Sequence, residues 1–343
     1  MPQPLSDRLA SAADRAACRA MIRAGSKSFS AAALLLPPQL REDAYALYAF
    51  CRLSDDMVDV DGGTEHAIAD LTRRLHLAYA GTPADSAVDR AFADVVRRTH
   101  MPRALPEALI DGLAWDVKGV VCESLSDVYA YGARVAGSVG AMMAVLMDVR
   151  DPHLAARACD LGVAMQLTNI ARDVGEDARN GRIYLPRQWL RASGLDIEAW
   201  LADPVPCAAI TDAVARLLGH ADDLYARADA GIRRLPVRCR PGIFAARRLY
   251  AAIGGKVARR GFDSVTSRAR VGAAGKLGIV ARACGDAVLH LPRDLAAPAL
   301  AETQYLVTAL AEAPVRAGRP RFSDRLLWTA ELFVELEGRR RAV

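Results

Sequence analysis

The chain has 343 residues, 52% of them hydrophobic, and a formal net charge of +5. That length can bury a large core, and the positive charge is scattered, with no basic stripe interleaved with aromatics, which argues against nucleic-acid binding. Seven dispersed cysteines without a CxxC pair indicate buried reduced thiols in a cytoplasmic protein and argue against a disulfide framework or a zinc site.

Helical periodicity runs along nearly the whole chain, and strand-like alternation is scarce. Proline and glycine interrupt it at 35–39, 81–83, 101–107, 151–152, 180–186, 202–206 and 234–242. The segments between these breaks have the length of bundle helices. We therefore predict an all-α helical bundle, with one domain over residues 1–280 and a helical C-terminal extension over 281–343 packed on it.

The first segment with possible chemistry is GSKSFS, residues 25–30. Ser26, Lys27 and Ser28 lie where a helix could begin, and such a position can bind phosphate. A serine-rich helix cap is the commoner meaning of this pattern. Further along the same helix, Ala33 follows Phe29 by four positions, so both can face one cavity and leave space there for a long chain.

The next segment, CRLSDDMVDV (51–60), sets three aspartates among apolar residues. On a helix, Tyr48, Arg52, Asp55 and Asp59 share one narrow sector, and Asp56 lies to one side. A solvated surface is the ordinary interpretation of such acids. The apolar flanks favour an internal cavity instead.

The stretch YGARVAGSVG (131–140) carries small residues at 133, 136, 137 and 140. Close helix packing and room for a lipid chain, with Tyr131 near its polar end, are both open interpretations. The apolar run at 136–147 is too short to span a bilayer, and we interpret it as a core helix.

The most informative segment is LGVAMQLTNIARDVGEDARNGRIYLP (161–186). Gln166, Asn169, Asp173 and Asp177 are spaced by three, four and four positions, and the opposite helix face is apolar. This pattern predicts the wall of a polar cavity inside a bundle. Two helices with an aspartate pair each suit Mg²⁺, which binds carboxylates together with water and phosphate oxygens, so we predict a diphosphate site.

Several of these stretches resemble one known family. SKSF, YAFCRLSDDMVD, VAGSVG, the 161–186 segment and SRARVGAAGKL (267–277) resemble the squalene/phytoene synthase family of head-to-head prenyl synthases, and within it the bacterial phytoene synthases. The match covers roughly residues 18–280. It implies an isoprenoid-synthase fold with a central cavity. It also implies a prenyltransferase that joins two geranylgeranyl diphosphates, through prephytoene diphosphate, into phytoene, the first committed step of carotenoid biosynthesis.

The resemblance also implies site residues, because both aspartate motifs bind Mg²⁺ in the family. The implied metal ligands are Asp55, Asp59, Asn169, Asp173 and Asp177. Diphosphate contacts are implied for Ser26, Lys27, Ser28, Arg52, Gln166, Tyr250, Arg268 and Lys276. Tyr131 and Tyr184 would lie near the diphosphate and the developing cation, and the expected catalytic residues are these two tyrosines with Arg52, Asp55 and Asp173.

The expected cofactor is Mg²⁺, with Mn²⁺ able to substitute, and no NADPH is expected. The expected partners are geranylgeranyl diphosphate, a membrane surface bound peripherally from the cytoplasm, and neighbouring carotenoid-pathway enzymes, with no nucleic acid. Two departures stand out: Ala133 replaces a tyrosine that is common in the family, and Gly25 replaces a histidine of some relatives. The alternatives are a dehydrosqualene or squalene synthase acting on farnesyl diphosphate, and a non-catalytic relative.

Overall fold

All secondary structure in the described part of the computed structural model is helical, which confirms the predicted all-α class. The structure describes residues 9–60, 64–288 and 295–314, without the side chains of residues 59, 60, 273, 274 and 288.

The helices follow one another with short connections. The first third of the chain forms α1 (Ala12–Gly25), α2 (Lys27–Ala33), α3 (Pro38–Val60), α4 (Glu65–Ala80), α5 (Ala87–Thr99) and α6 (Ala104–Val117). The middle forms α7 (Leu125–Gly132), a π-helical turn (Ala133–Gly137), α8 (Ser138–Leu146), α9 (Pro152–Arg179), α10 (Arg187–Ala192) and α11 (Ile197–Ala202). The rest forms α12 (Ala208–Ile232), α13 (Arg240–Ala258), α14 (Ala273–Val288), a 3₁₀ turn (Ala301–Thr303) and α15 (Gln304–Ala311).

Short polar side chains begin many of these helices. Ser11 and Ser124 each form a capping box with the aspartate three positions later, at the start of α1 and α7. Asp151 caps α9, where its carboxylate accepts from the Leu154 N–H at 3.0 Å, and Pro152 occupies the first turn. These caps satisfy backbone N–H groups that have no partner within the helix.

Helix α9 has 28 residues and is the centre of the bundle, packed against α8, α12, α13 and α15. Gly140 faces the backbone of Ala158 and Gly162 faces the carbonyl of Ala136, and neither glycine has room for a Cβ. The small residues of 131–140 therefore bring two helix backbones into contact, which is the first of the two interpretations that the sequence left open. The run 136–147 is a buried core helix, also as predicted, but the π turn within it was not foreseen.

The C-terminal part of the chain continues the same packing as far as it is described. Buried Leu306, Val307 and Leu310 seat α15 against α6, α8 and α9. The predicted boundary at residue 280 falls inside α14, and residues 315–343 lie outside the described residues, so the division at 280 stays a prediction. In the part of the chain that was searched, no helix is long and apolar enough to cross a membrane.

The cysteines are all free thiols. Cys18, Cys122, Cys159 and Cys239 are buried. Cys284 is exposed on α14, which corrects the expectation that the thiols are interior.

Candidate active site

An apolar cavity of about 320 Å³ lies between α2, α3, α8, α9, α12 and α13. Phe29 and Ala33 both line it, which confirms that they share one face of α2. Its uncharged polar lining residues include Gln166 and Asn169 near the C-terminal end of α9, Tyr48 of α3 and Tyr250 of α13. The Phe29 ring lies against both tyrosines, at 6.3 Å from the Tyr48 ring and 5.1 Å from the Tyr250 ring. The cavity thus has a polar end and a long hydrocarbon-like body.

The polar residues of α9 are brought together as the helical spacing predicts. The Asn169 amide donates to Gln166 Oε1 at 3.3 Å. Asn169 Oδ1 is buried and finds no hydrogen-bond partner among the described residues. A buried acceptor without a donor is costly, so this oxygen is suited to an electropositive ligand.

Asp173 lies one turn further along α9 and is held by two arginines. Arg172 Nε donates to it at 2.7 Å, and Arg268 Nη2 at 2.9 Å. Arg268 also pairs with Glu176 at 3.0 Å. The sequence placed Arg268 at this site but missed Arg172, whose only signal was its position beside Asp173.

Asp177 completes the acidic face of α9. Burial, together with the negative charges of Asp173 and Glu176, raises the pKa of its carboxyl to about 7. Burial and the two neighbouring carboxylates outweigh the positive charges of Arg182 and Arg268, which act in the opposite direction.

The second acidic segment lies on α3. Arg52 pairs with Asp56 at 2.6 Å and lies 3.7 Å from Asp55. The Asp55 side chain is 51% exposed, so the interpretation that it faces a closed interior is wrong for this carboxylate. The metal assignment of Asp59 concerns a side chain outside the described residues.

The 26–28 segment is a helix cap. The Ser26 hydroxyl accepts from the Phe29 N–H at 3.2 Å and begins α2. Lys27 is exposed and Ser28 is half-buried. Lys276, another predicted diphosphate contact, is half-buried in the first turn of α14. Tyr250 lies on α13, where burial raises the pKa of its phenol to about 12.

Tyr131 and Tyr184 form a separate cluster around a carboxylate that the sequence did not reveal. Both hydroxyls donate to Asp116, from Tyr131 to Oδ2 at 2.9 Å and from Tyr184 to Oδ1 at 2.7 Å. The two rings stack with centroids 4.9 Å apart. Burial, and next the Asp116 charge, raise the pKa of both phenols far above the usual range. Neither ring is among the residues that line the apolar cavity.

The oxygen donors of α9 fit a hard divalent cation. Among the described side chains, no three acids, histidines or cysteines come together as a ligand cluster. Mg²⁺ does not require three such side chains, because it binds one or two carboxylates and completes its shell with water and phosphate oxygens. The unpartnered Asn169 Oδ1 and the Asp177 carboxyl, which lies beside the negative charges of Asp173 and Glu176, are the features that fit this ion.

Comparisons with known proteins identify a family and several similar chains. A family profile described as squalene/phytoene synthase matches residues 22–274. A phytoene synthase of Cereibacter sphaeroides is 51% identical over 327 residues, covering 90% of this chain and 90% of its own. A phytoene synthase of Rhodobacter capsulatus is 50% identical over 306 residues, covering 87% of this chain and 90% of its own.

A solved structure shows a similar fold. A dehydrosqualene synthase in complex with a ligand superposes with a TM-score of 0.73 at 29% identity, covering 80% of this chain and 96% of that one.

Proposed function

The chain belongs to the squalene/phytoene synthase family, and we infer that it is the prenyltransferase that condenses two geranylgeranyl diphosphates through prephytoene diphosphate to phytoene. Two diphosphates and two protons leave in this reaction, one proton in each half, and no reductant is consumed. Carotenoid biosynthesis begins with this step. The observation that carries the proposal is the cavity, whose polar end at Gln166 and Asn169 opens into a long apolar body.

The length of the cavity suits the C20 substrate. Leu154 and Asn169 both line it from α9. Their fifteen-residue separation corresponds to about 22 Å along the helix axis. An extended chain advances roughly 1.2 Å per bond, so the fifteen main-chain bonds of a geranylgeranyl group span about 18 Å, and the eleven of a farnesyl group about 13 Å. The cavity therefore has room for the longer chain.

Asn169, Asp173 and Asp177 on α9, with Asp55 and Asp59 on α3, would hold Mg²⁺, for which Mn²⁺ can substitute. The bound metal would neutralise the diphosphate as its C–O bond breaks. Asp173 first has to exchange its arginine partners. Arg268 and Arg172, which now neutralise Asp173, are then free to donate to diphosphate oxygens.

The remaining assignments extend this site. Arg52, Gln166 and Tyr250 are proposed to contact diphosphate from the polar end of the cavity, together with Ser26, Lys27, Ser28 and Lys276. Tyr131 and Tyr184, with their oxygens held on Asp116, are proposed to lie near the diphosphate and the developing cation, outside the apolar lining of the cavity.

The decisive experiment is incubation with labelled geranylgeranyl diphosphate and Mg²⁺ without any reductant. A C40 hydrocarbon is expected, and excess EDTA should abolish it. A strict need for NADPH, or product only from farnesyl diphosphate, would indicate a squalene or dehydrosqualene synthase instead. Absence of any product with either substrate would support a non-catalytic relative.

We also propose that the enzyme works from the cytoplasm at a membrane surface without spanning it, beside other carotenoid-pathway enzymes. Its substrate tails and product are hydrocarbon, and the net charge of +5 favours an anionic leaflet. Leu277 is 75% exposed and Val237 62% exposed, which offers apolar contacts. Flotation with anionic liposomes should show binding at low salt that weakens at high salt. Binding that only detergent reverses would contradict a peripheral association.

A further inference from the structure

One charged residue lines the apolar body of the cavity. Among the described lining residues, Arg157 is the one that carries a charge, and it is only 1% exposed. A buried charge beside hydrocarbon is costly unless it is fully paired. The partners of Arg157 therefore indicate what this residue does.

The guanidinium of Arg157 points away from the cavity toward the backbone that precedes α15. Its Nη1 donates to the Ala297 carbonyl at 2.8 Å, and its Nη2 donates to the Pro298 carbonyl at 3.1 Å. Its Nε lies 2.7 Å from Asp160 Oδ2. The aliphatic stem packs against Gly231 of α12, where a Cβ would have no room. The head is thus anchored while the stem faces the cavity.

A second arginine strengthens the same anchor. Arg227 Nε donates to Asp160 at 3.0 Å, and its Nη2 donates to the Pro298 carbonyl at 2.5 Å. Asp160 is completely buried and pairs with both guanidinium groups, and these groups donate to the carbonyls of 297 and 298. Arg227 is not among the residues that line the cavity.

We propose that Arg157, with Leu154 one turn further along α9, forms the end wall of the prenyl cavity and that segment 295–298 holds Arg157 there, so that the C-terminal segment sets the chain length the site accepts. This inference rests on the proposed function. Twelve residues separate Arg157 from Asn169, which is about 18 Å along α9. That distance equals the extended length of a geranylgeranyl group at about 1.2 Å per bond. A geranylfarnesyl group, four bonds longer, would meet the Arg157 side chain.

The test is binding of unreactive thiolodiphosphate analogues of farnesyl, geranylgeranyl and geranylfarnesyl length, measured by calorimetry with Mg²⁺. Each further buried methylene should raise affinity about fourfold. In the wild type, affinity should rise from the farnesyl to the geranylgeranyl analogue and rise no further with the geranylfarnesyl one. Arg157→Ala should improve binding of the geranylfarnesyl analogue relative to the geranylgeranyl one by at least about tenfold.

Arg227→Met should also improve binding of the geranylfarnesyl analogue relative to the geranylgeranyl one, but by a smaller factor. This variant weakens the contacts that hold Arg157 without changing a residue of the cavity lining. A purely structural role for Arg227 would leave the ratio unmoved. The matched control is Arg98→Met, which removes another largely buried arginine, paired with Asp43 at 2.7 Å and with Asp94 at 3.0 Å, away from the cavity. It should lower stability and leave the ratio unchanged.

An unchanged ratio in folded Arg157→Ala overturns the proposal. Should that variant not fold, unchanged ratios in both Arg157→Met and Arg227→Met overturn it equally. If the wild type forms the C40 product while the ratios stay fixed, only the end-wall inference fails. If the ratios shift but no C40 product forms, only the proposed reaction fails.

Discussion

The hydroxyl of Tyr48 occupies the space that a Cβ on Gly25 would need. Tyr48 lines the polar end of the cavity from α3, and Gly25 is the last residue of α1. The Tyr48 ring is held by its edge-on contact with Phe29, so it has little freedom to move aside. This contact is a physical reason for glycine at a position where some relatives carry histidine.

Gly25→Ala should therefore destabilise the protein by about 1–3 kcal/mol, the usual cost of overpacking a filled site. Tyr48→Phe removes the conflicting oxygen and leaves the ring carbon 3.4 Å from the place of the new Cβ, an ordinary contact. In that background Gly25→Ala should be neutral or stabilising by up to about 1 kcal/mol, since Gly25 is a helical residue without a positive φ, and alanine is favoured over glycine there. A denaturation double-mutant cycle measures the difference. Equal costs in both backgrounds would show that the hydroxyl is not the obstacle.

Asp177→Asn should stabilise the metal-free protein at pH 8. The folded-state pKa of Asp177 is raised to about 7 from its ordinary value of 3.8, so the folded state binds the extra proton and stability falls as pH rises through this window. Asparagine removes that loss. The free energy of unfolding should therefore exceed that of the wild type by roughly 2–4 kcal/mol at pH 8, and the difference should vanish near pH 4. Thermal melts across pH measure it.

Asp173→Asn is the matched control, because its neighbours differ. From the sequence, like-charge repulsion alone would suggest a gain in stability for this variant too. The ion pairs to Arg172 and Arg268 make that expectation wrong, and a lower melting temperature is expected. Both variants should lose turnover. A stability gain in Asp173→Asn would mean that its arginines contribute little.

Ala33→Phe should shift selectivity from geranylgeranyl toward farnesyl diphosphate. Ala33 lines the cavity with Phe29, so an added ring fills space that the longer chain needs. Because a change of one methylene can already discriminate by roughly 10–200-fold, we expect the ratio of kcat/KM to change by at least about tenfold. Ala31→Phe is the control, since Ala31 lies on the same helix but not among the lining residues. Equal shifts in both variants would argue against a steric effect in the cavity.

Asp116→Asn should destabilise the protein by about 1–3 kcal/mol, because an amide nitrogen cannot accept a hydrogen bond and one buried phenol loses its acceptor. The pKa values of Tyr131 and Tyr184 should also fall, since the Asp116 charge helps to raise both. Ultraviolet titration of tyrosine and denaturant unfolding report the two effects. Adding Tyr184→Phe should recover part of the stability. No recovery would mean that the phenols do not compete for one acceptor.

The face of α9 could be predicted because it depends on one helix. Gln166, Asn169 and Asp173 share it by spacing alone, and the structure places them so. Asp116 could not be found in this way. It is a single aspartate with no motif around it, and its partner Tyr184 is 68 residues away.

The contacts that hold Arg157 at the end of the cavity could not be predicted from the sequence, for a related reason. Arg157 binds backbone carbonyls about 140 residues further along the chain, and carbonyls carry no sequence signal. The π turn at 133–137 likewise depends on tertiary packing that overrides local preference.

The backbone contact between α8 and α9 makes the two sides of the cavity unequal in how they can evolve. On this side, Gly140 and Gly162 already let one helix touch another, so no smaller residue exists that could widen the space. Elsewhere the cavity is lined by replaceable side chains, such as Phe29 and Ala33 on α2 and Arg157 on α9. Natural variants or directed evolution that retune substrate length should therefore accumulate their substitutions at such side chains and leave Gly140 and Gly162 unchanged.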